Sequence, residues 1–402
     1  MKIIIAAIFS TISLFCAAQM ESDTLVSPMI FVNQEDSTNT KAAVIPQYQL
    51  INIPDSVYIQ RLTALPFNFK MSYNPIVRSY IELYTVRIKD KMQVIMGLSD
   101  FYFPIIDTVF NAYNIPNELK YVSIIESALN PIAVSPARAT GLWQFMKGTG
   151  KENGLVINNY VDQRRGVLES SQAAAKYLRS LYNMYNDWQL VIAAYNCGQG
   201  RVNRAIRRAK GKTDYWEIYR YLPKETRGYV PAFIGAAYAF NYYKEHNICP
   251  ASTILPLQTD TVTVNKQLHF GQVADVLGVS IDLLRQINPQ YIKDVVPAND
   301  KSQYSLRVPL SHKAKFTELK DSIFAWRTDF YEKEINKKLK YIQPQSITMV
   351  GGRKRITHSV ESGESLWLIA GQYNVSINNI REWNKISGNK LKLGQRLVVY
   401  VQ

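Results

Sequence analysis

Ten residues, "DWQLVIAAYN" at 187–196, constrain the fold more than any other stretch. As a helix they are apolar nearly all round, and a helix without a polar face belongs in the interior of a domain. Helical neighbours are at hand to cover it. "VLESSQAAAKYLRSLYNMY" (167–185) is amphipathic, Gly198 stops the apolar helix, and "RVNRAIRRA" begins another. "YVPAFIGAAYAFNYYKEH" (229–246) is the last long helix. Upstream, residues 74–113 carry apolar positions at three- and four-residue intervals. "NELKYVSIIESAL" (117–129) follows Pro116, with Asn117 as candidate N-cap. From about Met71 to Asn247 the chain is expected to be all-α.

The period changes after Pro250. "ASTILPLQTDTVTVNKQLHF" alternates and is rich in Thr and Val, as strands are. "GQVADVLGVSIDLLRQINPQY" reads as two short helices and "SQYSLRVPL" as a strand. Residues 356–401 repeat that logic with strand "ITHSVE", helix "SLWLIAGQY", helix "SINNIREWN" and strand "QRLVVYV". A strand–helix–helix–strand unit used twice marks a repeated binding module. Between the copies lie a charged helical stretch, 313–341, and the linker "QPQSITMVGGRKR". The expected organisation is a multidomain chain: 1–18 signal peptide, 19–55 flexible leader, 56–250 all-α domain, 256–312 first α+β (βααβ) module, 313–355 helical spacer and linker, and 356–402 second module.

The signal peptide is read from "MKIIIAAIFSTISLFCAAQ": one lysine, a long apolar stretch, then small residues. Cleavage after Ala18 fits best. A lipoprotein cut before Cys16 is the alternative, against which Phe15 is bulky where a small residue is expected. No other segment approaches the ~20 apolar residues that span a bilayer. The 47 basic and 32 acidic residues leave a formal charge of +15, which asks for an acidic partner. Secretion argues against nucleic acid and for an acidic polymer or anionic lipid. The 26 tyrosines suit both helix packing and carbohydrate contact. The four histidines have no ligand spacing, so neither a metal site nor a cofactor is expected. If Cys16 leaves with the signal, Cys197 and Cys249 remain, either paired or as two separate buried thiols.

Glu126 is the residue with chemistry to explain. It sits in the apolar run "IIESALNP", five residues before Pro131. Leu119, Val122, Glu126 and Leu129 fall at helical offsets on one stripe. Desolvation there raises a carboxyl pKa, and the negative end of the helix dipole acts in the same direction. A carboxyl that keeps its proton near neutral pH is what a general acid requires. The plainer reading is a rim glutamate at a helix end, touching solvent or an arginine.

The surrounding motifs carry a resemblance. Glu126-Ser127, Pro131, Ser135, then Gly141-Leu142-Trp143-Gln144-Phe145-Met146 and Thr149-Gly150 resemble the signature of the soluble-lysozyme-like lytic transglycosylases. "AAYNCGQGRVNRAI" (193–206) and "YLPKETRGYVPAF" (221–233) continue the match in the same order. The upstream helices resemble the membrane-bound lytic murein transglycosylase D subgroup. "HSVESGESLWLIAGQYNVSINNIREWNKI…LKLGQRLVVYV" resembles a LysM module, a binder of N-acetylglucosamine-containing glycan. The 260–310 unit is a degenerate match that lacks the Gly-Glu-Ser-Leu run. Arg138 stands in a loop where the family often has glycine, and Lys147 where proline is common.

The resemblance implies a lysozyme-like α-domain acting on peptidoglycan glycan strands, with LysM as a tether. Ordinary glycosidases place two carboxylates across the bond, whereas this family uses one. Glu126 would protonate the glycosidic oxygen between N-acetylmuramic acid and N-acetylglucosamine. It would then deprotonate the muramic C6 hydroxyl, giving a 1,6-anhydro end without water, a lyase-type cleavage. Ser135 and Gln144 match polar positions beside the glutamate. Asn196 is expected to bind the N-acetyl group and Tyr195 to hydrogen-bond Glu126. Tyr229 and Glu225 would line the opposite wall, and Met146 the cleft. Gly141, Gly148, Gly198 and Gly200 read as turn or cap glycines. The implied location is the periplasm; outer-membrane association is left open, as is the choice between a soluble and a lipid-anchored form. A goose-type lysozyme, hydrolysing with water, and a non-catalytic wall-binding protein are the competing readings.

Overall fold

The computed structural model describes residues 53–401, apart from 257, 341–347, 351–352, 361–365, 374, 389–390 and 393. The signal peptide, most of the leader and the "ESGES" turn of the last module lie outside the described residues.

The apolar helix is where its composition puts it. Trp188–Cys197 buries eight of its residues, from Trp188 through Ala194 and again at Cys197. Asp187 caps its start by accepting from the Leu190 amide, and Gly198 ends it at φ +82°. The Val167–Tyr185 helix packs on it with its alanine face, and Gln199–Arg208 follows beyond Gly198. Tyr229–Asn241 is the second buried helix, enclosed from Tyr229 to Ala239. Pro75–Glu82 and Lys89–Ala112 complete the wrap, with a π-helical turn at Leu83–Arg87 between them. A 10-residue helix, Asp55–Ala64, begins where the leader was expected to end. Gly148 and Gly200 stand inside helices rather than at turns.

Both repeated units fold as expected. In the first, Thr259–Val264 pairs antiparallel with Tyr304–Pro309 around the helices Phe270–Leu277 and Ile281–Ile287. In the second, Arg353–Ser359 pairs antiparallel with Arg396–Val401 around Leu366–Tyr373 and Ile377–Asn384. The same device closes both. Asn288 donates to the Arg307 carbonyl and accepts from its amide at 2.8 and 2.7 Å. Asn384 does the same to Val398 at 2.7 and 2.6 Å.

The stretch between them differs from a free spacer. Leu310–Glu318 and Lys320–Ala325 lay Phe316 and Ile323 into the first unit's core, with Leu319 and Phe324 packed against it. Thr348–Val350, expected as linker, pairs as a third strand beside Arg353–Ser359. Among the described residues no helix is long and apolar enough to cross a membrane.

The first unit also touches the helical domain. The Asp162 amide donates to the Gln290 carbonyl at 2.9 Å, and the Ile292 amide to the Tyr160 carbonyl at 3.1 Å. Asp162 in turn holds Arg164 in a two-pronged ion pair at 2.9 and 2.7 Å, both side chains at most 10% exposed. Arg164 spends its remaining amino group on the carbonyls of Arg138 and Phe145. Removing the acid would leave a buried, unpaired guanidinium. Asp162→Ala is therefore expected to lower unfolding free energy by about 3–5 kcal/mol, read from the denaturant midpoint.

Candidate active site

The chain around Glu126 is short-range helix. Asn117–Tyr121 is a 3-10 turn, followed by the α-helix Val122–Ser127. Asn117 lies inside the turn and makes no cap, because proline at 116 already sets the entry. Leu119, Val122 and Leu129 are fully buried, so the stripe faces the core. Ala128 and Leu129 both take positive φ, +53° and +60°, which ends the helix right after the glutamate and turns it into the motif loop. Ser127 ties the two together, its hydroxyl 3.0 Å from the Leu142 carbonyl.

That loop is braced from below. Trp143 is fully buried against Phe110 and donates its indole N–H to Ser171 at 3.0 Å. Gly141 takes φ +89°, and a side-chain carbon there would stand 1.8 Å from the Arg164 carbonyl oxygen. Nothing but glycine fits. Arg138 also takes positive φ, +63°, a backbone conformation that glycine would adopt without strain. Lys147 is the first residue of the Lys147–Glu152 helix, a position that tolerates proline. Neither departure breaks the loop's geometry.

Glu126 is partly exposed as a residue, while its Oε2 is out of reach of solvent and has no hydrogen-bond partner. Its Oε1 accepts a short hydrogen bond from the Tyr229 hydroxyl. Burial drives the carboxyl pKa up to about 7, against the smaller lowering effect of the tyrosine bond. The Tyr229 hydroxyl is itself pushed far above its ordinary range by burial and the neighbouring glutamate, so it stays a donor.

The expected residues separate into those that gather and those that do not. Tyr229, expected on the opposite wall, is the residue that grips Glu126. Tyr195, expected in that role, donates to the Trp143 carbonyl at 2.8 Å instead. Its charge coupling to Glu126 still places it nearby. Ser135 accepts from the Ala139 amide at 3.0 Å and shapes the loop. Gln144, at φ +47°, donates to the carbonyls of Gly141 and Ala133 at 2.9 and 3.3 Å. Asn196 accepts from Thr226 Oγ1 at 2.9 Å. Thr226 is fully buried and was missed in the sequence, although it lies inside the "KETRGYV" block. Met146 immediately precedes the Lys147–Glu152 helix, and Glu225 is half-buried on the short helix Lys224–Arg227. Cys197 is buried and Cys249 exposed, both as free thiols. No cluster of His, Cys, Asp or Glu among the described residues has metal-holding geometry.

Residues 106–218 match the transglycosylase SLT domain family. Behind this segment, residues 258–325 match the "Lytic transglycosylase MltD, LysM-like domain" and residues 358–399 the LysM domain. The 258–325 match takes in the helices that carry Phe316 and Ile323. The chain is 32% identical over 293 residues to the membrane-bound lytic murein transglycosylase D of Escherichia coli, covering 71% of this chain and 60% of that protein. It thus spans less than two thirds of that relative's length. The SLT region is 37% identical over 122 residues to a putative soluble lytic murein transglycosylase of Haemophilus influenzae, 29% of this chain and 20% of that one. The solved 70 kDa soluble lytic transglycosylase of E. coli is 28% identical over 35% of this chain and 24% of its own, at a TM-score of 0.30.

The raised carboxyl pKa has a stability consequence. Folding favours protonated Glu126, so below the ordinary carboxyl pKa the group costs nothing. As pH rises from 4.5 to about 7 the cost grows, and above that it is full. Glu126→Gln should therefore be more stable than wild type at about pH 8, by up to ~3 kcal/mol, with the gain fading in acid. Thermal unfolding of both proteins across pH checks this.

Proposed function

We propose that the SLT domain cleaves the β-1,4 bond between N-acetylmuramic acid and N-acetylglucosamine without water and leaves 1,6-anhydromuramic ends. The observation that carries the reading is the buried carboxyl of Glu126, held by Tyr229 with its other oxygen unpartnered. A carboxyl with a pKa of about 7 serves as acid and as base at neutral pH, the property that one residue acting twice needs.

Glu126 gives its proton to the glycosidic oxygen as the bond to C1 breaks. The substrate's own N-acetyl oxygen stabilises the cationic carbon, the substrate-assisted route. Glu126, now a carboxylate, accepts the Tyr229 hydrogen bond most strongly and takes the proton of the C6 hydroxyl as that oxygen attacks C1. The proton returns to where it started. In this reading Asn196, which accepts from Thr226, receives the N-acetyl group, with Glu225 and Met146 as cleft walls. Tyr195, Gln144 and Ser135 act by holding the loop that faces Glu126. The LysM units hold the enzyme on its polymer and raise its effective concentration there. The N-terminal stretch, read as a secretory signal, supports a periplasmic site of action.

Mass spectra of the products from purified sacculi test the chemistry. Muropeptides about 18 Da lighter than hydrolytic products, one water fewer, are expected. Reducing muramic ends would instead mark a lysozyme. Glu126→Gln should lose at least ~10³-fold in rate while still binding sacculi. Tyr229→Phe removes the bond that favours the carboxylate, so the pKa moves further up. The alkaline fall in kcat/KM, near pH 7 in wild type, should shift higher by about one unit. An unmoved profile would remove Tyr229 from the mechanism.

A further inference from the structure

Six cations converge on one cavity beside the motif segments. Arg201, Arg204 and Arg208 stand at offsets of three and four on Gln199–Arg208, so they share one face of that helix. Arg220, Lys224 and Arg227 close the opposite side of a cavity of about 340 Å³. None of the six forms an ion pair with a carboxylate among the described residues. Like charges at this helical spacing repel. A surface that only needed solubility would intersperse the two signs. Several of these groups are instead fixed in place by neutral partners. Arg227 donates to the Leu222 and Arg220 carbonyls at 3.1 and 2.7 Å, Arg201 to the Cys197 carbonyl at 3.1 Å, and Arg220 lies over the Tyr221 ring. Arg204 and Arg208 are exposed and unengaged, free to meet a ligand.

The walls of this cavity come from the two segments that hold Asn196. Arg201 grips the residue after Asn196, and Arg227 follows Thr226, whose hydroxyl binds Asn196. A ligand here therefore lies alongside the glycan-binding segments. The cavity is many times the ~30 Å³ share of a small solvent molecule, and its cations are spread over two elements. That favours an extended ligand with several separated anions over one compact anion. Guanidinium groups match carboxylates two bonds at a time.

We propose that this arginine cavity is a subsite for the free carboxylates of the acidic peptides borne by the glycan, engaged while Glu126 acts on the sugar bond. The proposal rests on the peptidoglycan reading and names which part of that polymer the cavity takes. It makes the enzyme favour peptide-bearing strands over bare glycan, in a salt-sensitive way.

The test uses the full chain and its Arg204→Gln/Arg208→Gln variant on two substrates: peptide-bearing strands, and the same strands stripped of peptide by an amidase. The variant should lose about tenfold or more in kcat/KM on peptide-bearing strands, chiefly through KM, and match wild type on stripped ones. An equal loss on both substrates, or no loss on either, would overturn the proposal. Arg204→Gln alone, with an unchanged melting curve, guards against a folding defect. If wild type yields no anhydro product at all, the transglycosylase reading has failed. Titration of the released peptide into both proteins then decides the subsite separately. Binding to wild type and loss in the variant sustains it, and no binding to wild type overturns it.

Discussion

A phenol and a carboxyl 103 residues apart in the chain meet inside this domain, and the site depends on that meeting. Tyr229 opens a helix buried almost throughout, so its hydroxyl is fixed by packing rather than by rotamer preference. Glu126 is the next-to-last residue of a helix only six residues long, which by itself would fray. What steadies it is the wall of apolar side chains around the stripe and the loop that begins at once after it. The cost of this arrangement is a desolvated acid. In the proposed reaction that cost has a use, since a carboxyl in water would be ionised and useless as a proton donor at neutral pH.

The loop needs as much support as the acid. Trp143 anchors it in the core, Arg164 holds two of its carbonyls, and Gly141 lets it pass against the backbone at Arg164. Arg164 is oriented by Asp162, and the Asp162 backbone pairs with the first LysM-like unit. That unit is therefore a bracing element for the motif loop as well as a module in its own right. The last unit repeats its asparagine clamp.

Periodicity carried much of this into the sequence. The helix at 188–197 was legible because no residue pattern other than burial suits it, and the two strand–helix–helix–strand units because their alternation switches period twice. Glu126 stood out for the same reason, a charge on an apolar stripe. Which tyrosine reaches it did not. Tyr195 and Tyr229 are both aromatic residues in buried helical segments, and only tertiary packing decides that one bonds the carboxyl and the other the Trp143 carbonyl. Thr226 was invisible because a buried threonine hydroxyl has no periodic signature. The charged stretch after 312 read as a spacer because its apolar residues are interspersed with many lysines and glutamates and give a weak stripe, yet Phe316 and Ile323 pack into the first unit's core.

The central claim is that Glu126 holds its proton close to neutral pH in the resting protein. Carbon-13 NMR of glutamate-labelled protein, with Glu126→Gln used to assign the Glu126 carboxyl, titrates that group directly. A midpoint near 7 is the expected result. A midpoint near the ordinary glutamate value of about 4.3 would contradict it and return Glu126 to the standing of a surface acid at a helix end.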